Sequence, residues 1–364
     1  HTWYAKNRDA NGQLIYEEGN LGSNTLSYTS YANGERALYL EGNITYNRVF
    51  DDKHNVGGLL LYNQRDYQIA AGSSIEALPY RSQGLAGRLT YSYDDRYFIE
   101  GNFGYNGSEN FARGHRFGFF PAAAIGWVVS NESFMKDKTP NVEMLKLKAS
   151  LGQSGNDQIG GGRRFVYLPT IVGANGTNWG TSNTWVDGIA VGEYANENVS
   201  WETSTKFNVG IESQLYNSFR IQVDYFREKR DGIFVQRKSI PDYVGVTTMP
   251  WSNVGKMKNQ GIDATLEYDK QIGDLYLSAR GTFTFARNIQ VNDDQPDYID
   301  KYRNRNGQRY GQQYGLVALG LFRTQEEIDN SPSQFGVSYL KPGDIKYKDI
   351  NGDGVIDTND EVPI

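Results

Sequence analysis

The 364-residue chain has no cysteine and only three histidines, His1, His54 and His115. Without cysteine there is no disulfide framework and no thiolate metal site. Three scattered histidines exclude a histidine-built metal centre. No uncharged apolar run approaches the roughly 20 residues that a membrane helix needs, and the mean hydropathy is −0.62. A helical membrane protein is therefore excluded, whereas a β-barrel is not, because every second residue of its strands faces a polar lumen. Positive charge is not in surplus either. The chain carries 37 basic and 43 acidic residues, a net charge of −6, so it lacks the electrostatic footprint of a nucleic-acid binder.

The chain is rich in Gly (41), Tyr (26) and Phe (17), set in stretches that alternate apolar and polar residues. Leu85, Gly87, Leu89, Tyr91 and Tyr93 fall on one side, and Ala86, Arg88, Thr90, Ser92 and Asp94 on the other. Period two is the signature of a β-strand. Ten strands are expected, at 36–50, 54–67, 82–94, 96–106, 116–130, 143–153, 201–215, 219–231, 259–270 and 275–288. Most are longer than the globular mode of about 5–6 residues and reach the 9–11 that a tilted transmembrane strand requires.

The connections alternate in length. Asp51-Asp52-Lys53, Asp94-Asp95, Tyr216-Asn217-Ser218 and Gly273-Asp274 are tight, whereas 68–81, 107–115, 154–200, 232–258 and 289–312 are long. Outer-membrane barrels have short periplasmic turns and long outer loops. Segment 131–142 breaks the alternation and reads as a longer periplasmic turn with a helical kink. Tyr91, Tyr93, Tyr97 and Phe98 crowd one tight turn, Tyr216 and Phe219 a second, and Tyr268 and Tyr276 a third. Such aromatics suit an interfacial girdle; plain cross-strand pairing is the alternative. The fold class is thus all-β, an antiparallel transmembrane β-barrel in the outer membrane.

Four segments carry a resemblance: FFPAAAIGWVVSNESFM (119–135), LKASLGQSGN (147–156), NVGKMKNQGID (253–263) and KPGDIKYKDINGDGVID (341–357). In this order they resemble the SusC-like TonB-dependent outer-membrane transporters of Bacteroidetes, as does YSYDDRYFIEGNFGYNGSENFA (91–112). The resemblance implies a 22-stranded barrel with an N-terminal plug, a SusD-like lid lipoprotein over the outer mouth, and import of oligosaccharides or peptides driven by the TonB system. It covers the middle of the barrel and the start of its last third. Residues 1–364 are therefore expected to be part of one barrel domain, with the plug and the TonB-contacting segment outside this chain. The chain opens at His1 and ends at Ile364 just after a loop. An exported barrel needs a signal and must close, which again reads as part of a longer protein. A non-transporting porin or adhesin, and a soluble calcium-binding glycan-active β protein, are the competing readings.

Residues 349–360, DINGDGVIDTND, fit a calcium-loop template. Asp349, Asn351 and Asp353 offer side-chain oxygens at alternate positions, Gly354 the sharp turn, Val355 its carbonyl, Asp357 a water-mediated contact and Asp360 the closing carboxylate. An ion-free, Asx-rich turn is the alternative. Loop 154–200 carries Trp179, Trp185, Tyr194 and Trp201 among amides and hydroxyls, and Tyr243 and Trp251 lie in 232–258. Aromatic faces beside such groups stack on sugar rings, or pack the loops against themselves or a partner. Trp179, Trp185 and Trp251 are the candidate contacts. Gly160-Gly161-Gly162-Arg163-Arg164 lacks the Lys-Ser/Thr of a phosphate loop and is not a nucleotide site. No catalytic set stands out.

Overall fold

The computed structural model describes residues 2–20, 28, 34–70, 75, 77–136, 138–159, 163–246, 248–336 and 339–364; the Gly160–Gly162 tract lies outside them. Two compact units are distinguished, one of residues 1–36 and 67–79, the other of 37–66 and 80–364. In the first, β1 (Thr2–Arg8) and β2 (Leu14–Asn20) form an antiparallel hairpin. Asp9 closes its loop, accepting from the amides of Asn11 and Gln13 at 2.9 and 2.8 Å. The sequence reading placed no strands here, because Trp3 and Tyr4 are adjacent apolar residues that blur the alternation.

The second unit is dominated by a ten-stranded sheet whose order follows the sequence, apart from one excursion. It comprises β3 (Glu35–Phe50), β4 (His54–Ile69), β5 (Tyr80–Tyr93), β6 (Tyr97–Ser108), β7 (Phe117–Val128) and β8 (Val142–Asn156). It continues with β11 (Glu202–Leu215), β12 (Phe219–Gln236), β13 (Trp251–Ile272) and β14 (Leu275–Asn292). β3 and β14 form its edges. All ten expected strands are present. The largest departures in length are β12 and β13, which run to Gln236 and begin at Trp251, so the loop expected at 232–258 shortens to 237–250. The register between them shifts at Asp231/Ile233 and Ile233/Val235, bulges that interrupt the alternation while the pairing continues. Between β8 and β11 the chain forms a separate hairpin, β9 (Ile171–Trp179) and β10 (Thr184–Val191).

Three of the four tight turns are type I′ in character, whereas at Gly273-Asp274 only Gly273 has a positive φ, of 61°. Asp51 and Asp52 have φ of 48° and 54°, Asp94 and Asp95 50° and 49°, and Tyr216 and Asn217 56° and 48°. Two successive positive φ values match the twist of a two-residue hairpin, and Asp and Asn tolerate them best after Gly. The 129–141 connection holds a 3₁₀ turn at Val129–Asn131 and a single helical turn, α1, at Ser133–Lys136. Here Glu132 receives Tyr97 Oη at 2.5 Å, Trp127 Nε1 at 3.0 Å and Arg96 Nη1 at 3.0 Å. The longer turn is thereby fastened to the ends of β6 and β7.

Pairing sets the two faces of the wall. Tyr97 lies opposite Trp127, Ile99 opposite Ile125, and Tyr105 opposite Phe119. Leu89, Ile99, Ile125 and Phe283 on this face are all more than half exposed, as expected of side chains that meet lipid. From Trp127 to Phe117, ten residues at about 3.3 Å and a tilt of about 40° span about 25 Å, the height of an outer-membrane apolar band. Aromatics mark both limits, with Tyr93 near Tyr97 at one and Tyr105 stacked on Phe117 at 5.0 Å at the other. Phe98 points to the opposite face and is not part of this girdle.

That opposite face is polar. Lys148 Nζ lies 2.6 Å from Glu212 and 3.1 Å from Asp224, and Gln222 Nε2 donates to Asp224 at 2.7 Å. Gly210 sits between the paired residues Lys148 and Asp224. A Cβ there would lie 2.1 Å from Asp224 Oδ1, so only glycine lets this network close. Arg88 and Glu100 pair at 2.7 Å on the neighbouring strands.

Candidate functional site

Three of the long connections, 107–115, 154–200 and 232–258, meet at one end of the wall. Phe111, Ile159, Val166, Val199 and Phe234 form a buried cluster there, with Trp201 and Trp251 packed against it. Burying five such side chains contributes on the order of 10 kcal/mol, enough to order loops that would otherwise cost conformational entropy. Polar side chains complete the rim. Asn253 Nδ2 donates to the carbonyls of Ser200 and Gly232 at 2.9 and 2.8 Å, and its Oδ1 accepts from Ser200 N at 3.0 Å. Asn196 donates to the Trp251 carbonyl at 2.8 Å. Trp201 Nε1 donates to the Arg116 carbonyl at 3.1 Å. Trp201 and Trp251 were noted in the sequence, but the organising Asn196 and Asn253 were not singled out. Their only signal is an Asn beside a Trp or a strand start, which is common to many loops.

The aromatic candidates separate into two kinds. Trp251 is half-buried, stacked on Phe234 with centroids 5.4 Å apart, and the Arg163 guanidinium lies 4.0 Å above its ring. Its role here is packing. Trp201 is likewise half-buried, against Phe111 and Phe120 at 5.3 Å each. Trp179 and Trp185 are exposed on the β9–β10 hairpin, where Trp185 Nε1 donates to Asp187 at 2.8 Å. Tyr194 and Tyr243 are also exposed.

A second fastening joins the segments after β12 and β14. Asp294, at φ 58°, accepts from Arg237 Nε, Lys238 N and Ser239 N at 2.8, 2.8 and 3.3 Å, and from Ser239 Oγ at 3.1 Å. Burial alone would raise its pKa, but the guanidinium and the N–H and O–H donors outweigh burial and hold it below the usual carboxylate value. A carboxyl whose folded pKa is depressed stabilises the fold above its unfolded pKa, and this contribution is lost as pH falls through the folded value. Amide exchange at 237–239 is therefore expected to accelerate, beyond the intrinsic rate change, as pH falls below about 4. An Asp294→Asn variant should lose that pH dependence. Equal protection in the wild type at pH 3 and pH 7 would contradict this role.

The calcium-type loop lies in the segment after β14 and includes the buried side chain of Ile356. Its oxygens accept from its own backbone. Asp349 takes Gly352 N and Gly354 N at 2.6 and 2.9 Å, Asn351 takes Asp353 N at 3.0 Å, and Asp353 takes Val355 N at 2.8 Å. Asp357 takes Asn359 N at 2.6 Å. Asp360, fully buried, accepts from Ile350, Asn351 and Asp357 at 2.7, 3.3 and 3.0 Å. Gly352 and Gly354, at φ 77° and 86°, wind the alternate positions inward. Among the described residues, no three Asp, Glu or His side chains converge as a ready metal-ligand set. Asp349, Asn351, Asp353 and Asp357 keep spare lone pairs, and Val355 is exposed, so these donors suit a hard cation chemically.

Comparison with known proteins places this architecture. The family model described as TonB dependent receptor-like, beta-barrel matches residues 1–361. TonB-dependent receptor P3 of Formosa agariphila is 26% identical over 96% of this chain and 36% of its own length. TonB-dependent receptor SusC of Bacteroides thetaiotaomicron is 27% identical over 76% of this chain and 27% of its own length. The chain thus spans about a third of such relatives. A solved structure of the RagAB peptide transporter superposes with a TM-score of 0.68 at 16% identity, covering 91% of this chain and 38% of that one; this likeness shows the fold. The ten-stranded wall, lipid-facing on one side and polar on the other, belongs to the TonB-dependent receptor-like β-barrel family of the outer membrane.

Proposed function

We propose that the parent protein imports oligosaccharides or peptides across the outer membrane, energised by the TonB system through parts outside this chain and assisted by a SusD-like lipoprotein lid. The observation that carries this is a wall of membrane-spanning strands with charged side chains on its inner face and a rim of long, ordered loops at one end. In this reading the rim faces the outside, with Asn178, Ser252 and Asp353 there and Asn217 and Asp274 in the periplasm. Membership of the receptor family supports the energised import. The relative named SusC and the fold shared with the peptide transporter RagAB support a ligand too large for passive pores. The test is growth on single glycans and peptides by strains lacking the parent gene or TonB. Both are expected to lose growth on the same ligands. Undiminished growth of either strain on every ligand used by the wild type would overturn the proposal.

The 349–360 loop is proposed to bind one structural Ca²⁺ through Asp349, Asn351, Asp353, the Val355 carbonyl, Asp357 and Asp360. The Asx turns at alternate positions, which aim oxygens into the loop, support this reading. Affinity is expected near the extracellular range of about 10⁻⁴–10⁻³ M. Calcium should slow exchange of the loop amides in the purified parent protein, and Asp349→Ala should remove the effect. Exchange unchanged at 10-fold above that range (about 10 mM) would leave the loop an ion-free turn.

A further inference from the structure

The lipid-facing side of β12, β13 and β14 ends in a basic patch. The apolar row Tyr225–Ile262–Phe285 crosses these three strands. One step nearer the rim on the same face the row is Arg227–Gln260–Arg287, and the next is Lys229–Lys258–Ile289. Side chains two apart share a face, and the register shifts begin only beyond Asp231 and Lys256. The charge run 227–231 is thereby split between the faces. Glu228 and Arg230 lie on the polar inner side, joined at 2.8 Å, while Arg227 and Lys229 lie on the lipid side.

The patch sits at the upper limit of the apolar band. Phe219 pairs with Tyr268 at the other limit. From Phe219 to Lys229, as from Tyr268 to Lys258, ten residues rise about 25 Å at a tilt of about 40°. Arg227, Lys258 and Arg287 are exposed and, among the described residues, have no ion-pair partner. Lys229 lies 2.8 Å from Asp231, which Lys256 also approaches at 3.9 Å. Five cations thus share one carboxylate on this face. Lys229 and Lys258 are direct cross-strand partners, and like charges placed so destabilise a sheet unless an anion lies between them. β12 and β13 are flanked within this chain by β11 and β14. Further strands of the parent barrel therefore join at the edges of the sheet and do not cover this face.

We propose that Arg227, Lys229, Lys258 and Arg287 hold the phosphate of a phosphorylated glycolipid of the outer leaflet, whose acyl chains lie along Tyr225, Ile262 and Phe285. The two arginines stand two strand spacings apart, about 10 Å, on either side of Gln260. Guanidinium forks match phosphate oxygens, and the Gln260 amide offers both a donor and an acceptor to sugar hydroxyls. Lysine is depleted at protein interfaces, and the apolar face directly below already belongs to lipid. The inference takes from the proposed function only that the rim faces outward.

The test uses the full-length parent protein in nanodiscs of phosphatidylethanolamine, titrated with monophosphoryl lipid A and read by native mass spectrometry. The wild type is expected to retain the glycolipid. Joint replacement Arg227→Gln, Lys258→Gln and Arg287→Gln should weaken binding about tenfold or more, with the barrel folded as judged by its mobility on unheated gels. Lys270→Gln, on the same face at the periplasmic end of β13, should leave it unchanged; an equal loss there would overturn a defined site. Binding as tight to phosphatidylglycerol, to inorganic phosphate or to the dephosphorylated glycolipid would overturn the ligand. In native outer membrane, a photo-reactive phenylalanine analogue at position 260 should cross-link to glycolipid, and cross-links to polypeptide instead would overturn the site. Orientation is read separately, by tagging Tyr243→Cys in the exposed 237–250 loop with an impermeant maleimide. Tagging of intact cells without glycolipid binding defeats the site alone. Tagging that requires permeabilised cells would overturn the outward rim and the site with it.

Discussion

Replacing Trp201 by alanine is expected to loosen the entire loop rim while leaving the strand wall in place. The ring packs on Phe111 and Phe120 and its Nε1 donates to the Arg116 carbonyl, so one residue joins the loop before β7 to the start of β11. Truncating a well-packed Trp costs about 3–5 kcal/mol, and the Arg116 carbonyl loses one of its two donors, keeping Ser108 N at 3.0 Å. The strands do not share that loss, because their ladder hydrogen bonds lie in the wall. Limited proteolysis of intact cells should show rapid cleavage within 157–200 in the variant, with a barrel that still resists unfolding. A Trp201→Phe variant, which keeps the ring packing and loses the N–H, should fall between. Unchanged resistance of the loops in Trp201→Ala would show that the cluster around Phe111 does not depend on this side chain.

Asp360→Ala is expected to have a comparably large but separate effect. Its carboxylate is fully buried and accepts three backbone N–H groups, from Ile350, Asn351 and Asp357. Alanine strands all three at about 1–3 kcal/mol each. It also removes half of the reciprocal cap on the short turn Thr358–Asp360, in which Asp357 and Asp360 accept each other's amides or their neighbours'. Tyr302, whose hydroxyl donates to the Asn359 carbonyl at 2.7 Å, should lose that contact as the loop opens. Hydrogen exchange across 349–364 should accelerate by at least 100-fold, given that each 1.4 kcal/mol is about a factor of 10. Asp360→Asn retains one carbonyl acceptor and should be intermediate. Exchange at the wild-type rate in Asp360→Ala would mean that the loop is held from elsewhere.

The strands were legible because a wall with lipid on one side and polar groups on the other imposes strict alternation. Leu89, Ile99 and Ile125 differ from Arg88, Glu100 and Ala124 in environment, and the period-two pattern records it directly. The tight turns were legible for a similar local reason, since Asp94, Asp95 and Asn217 take positive φ values, which Asp and Asn do at low cost. The ends of β12 and β13 were not, because at 232–236 and 251–258 the strands carry bulges that blur the two-face alternation. The β9–β10 hairpin was hidden for a different reason. With both faces exposed in this chain, there is no dry side to imprint an in–out pattern.

The sequence by itself determined the class of molecule, the strands of the wall and the closing loop 349–360, because each is written in local patterns of two to twelve residues. Only the tertiary structure decided what the tryptophans do. Trp251 and Trp201 look the same in sequence as Trp179 and Trp185, all lying in or beside polar, glycine-rich loops. The first two are taken up by Phe234, Arg163, Phe111 and Phe120, residues 17 to 90 positions away, and the other two are held out on a hairpin. Burial at the rim is a property of segments brought together by the sheet order, and no local pattern encodes which ring finds a partner.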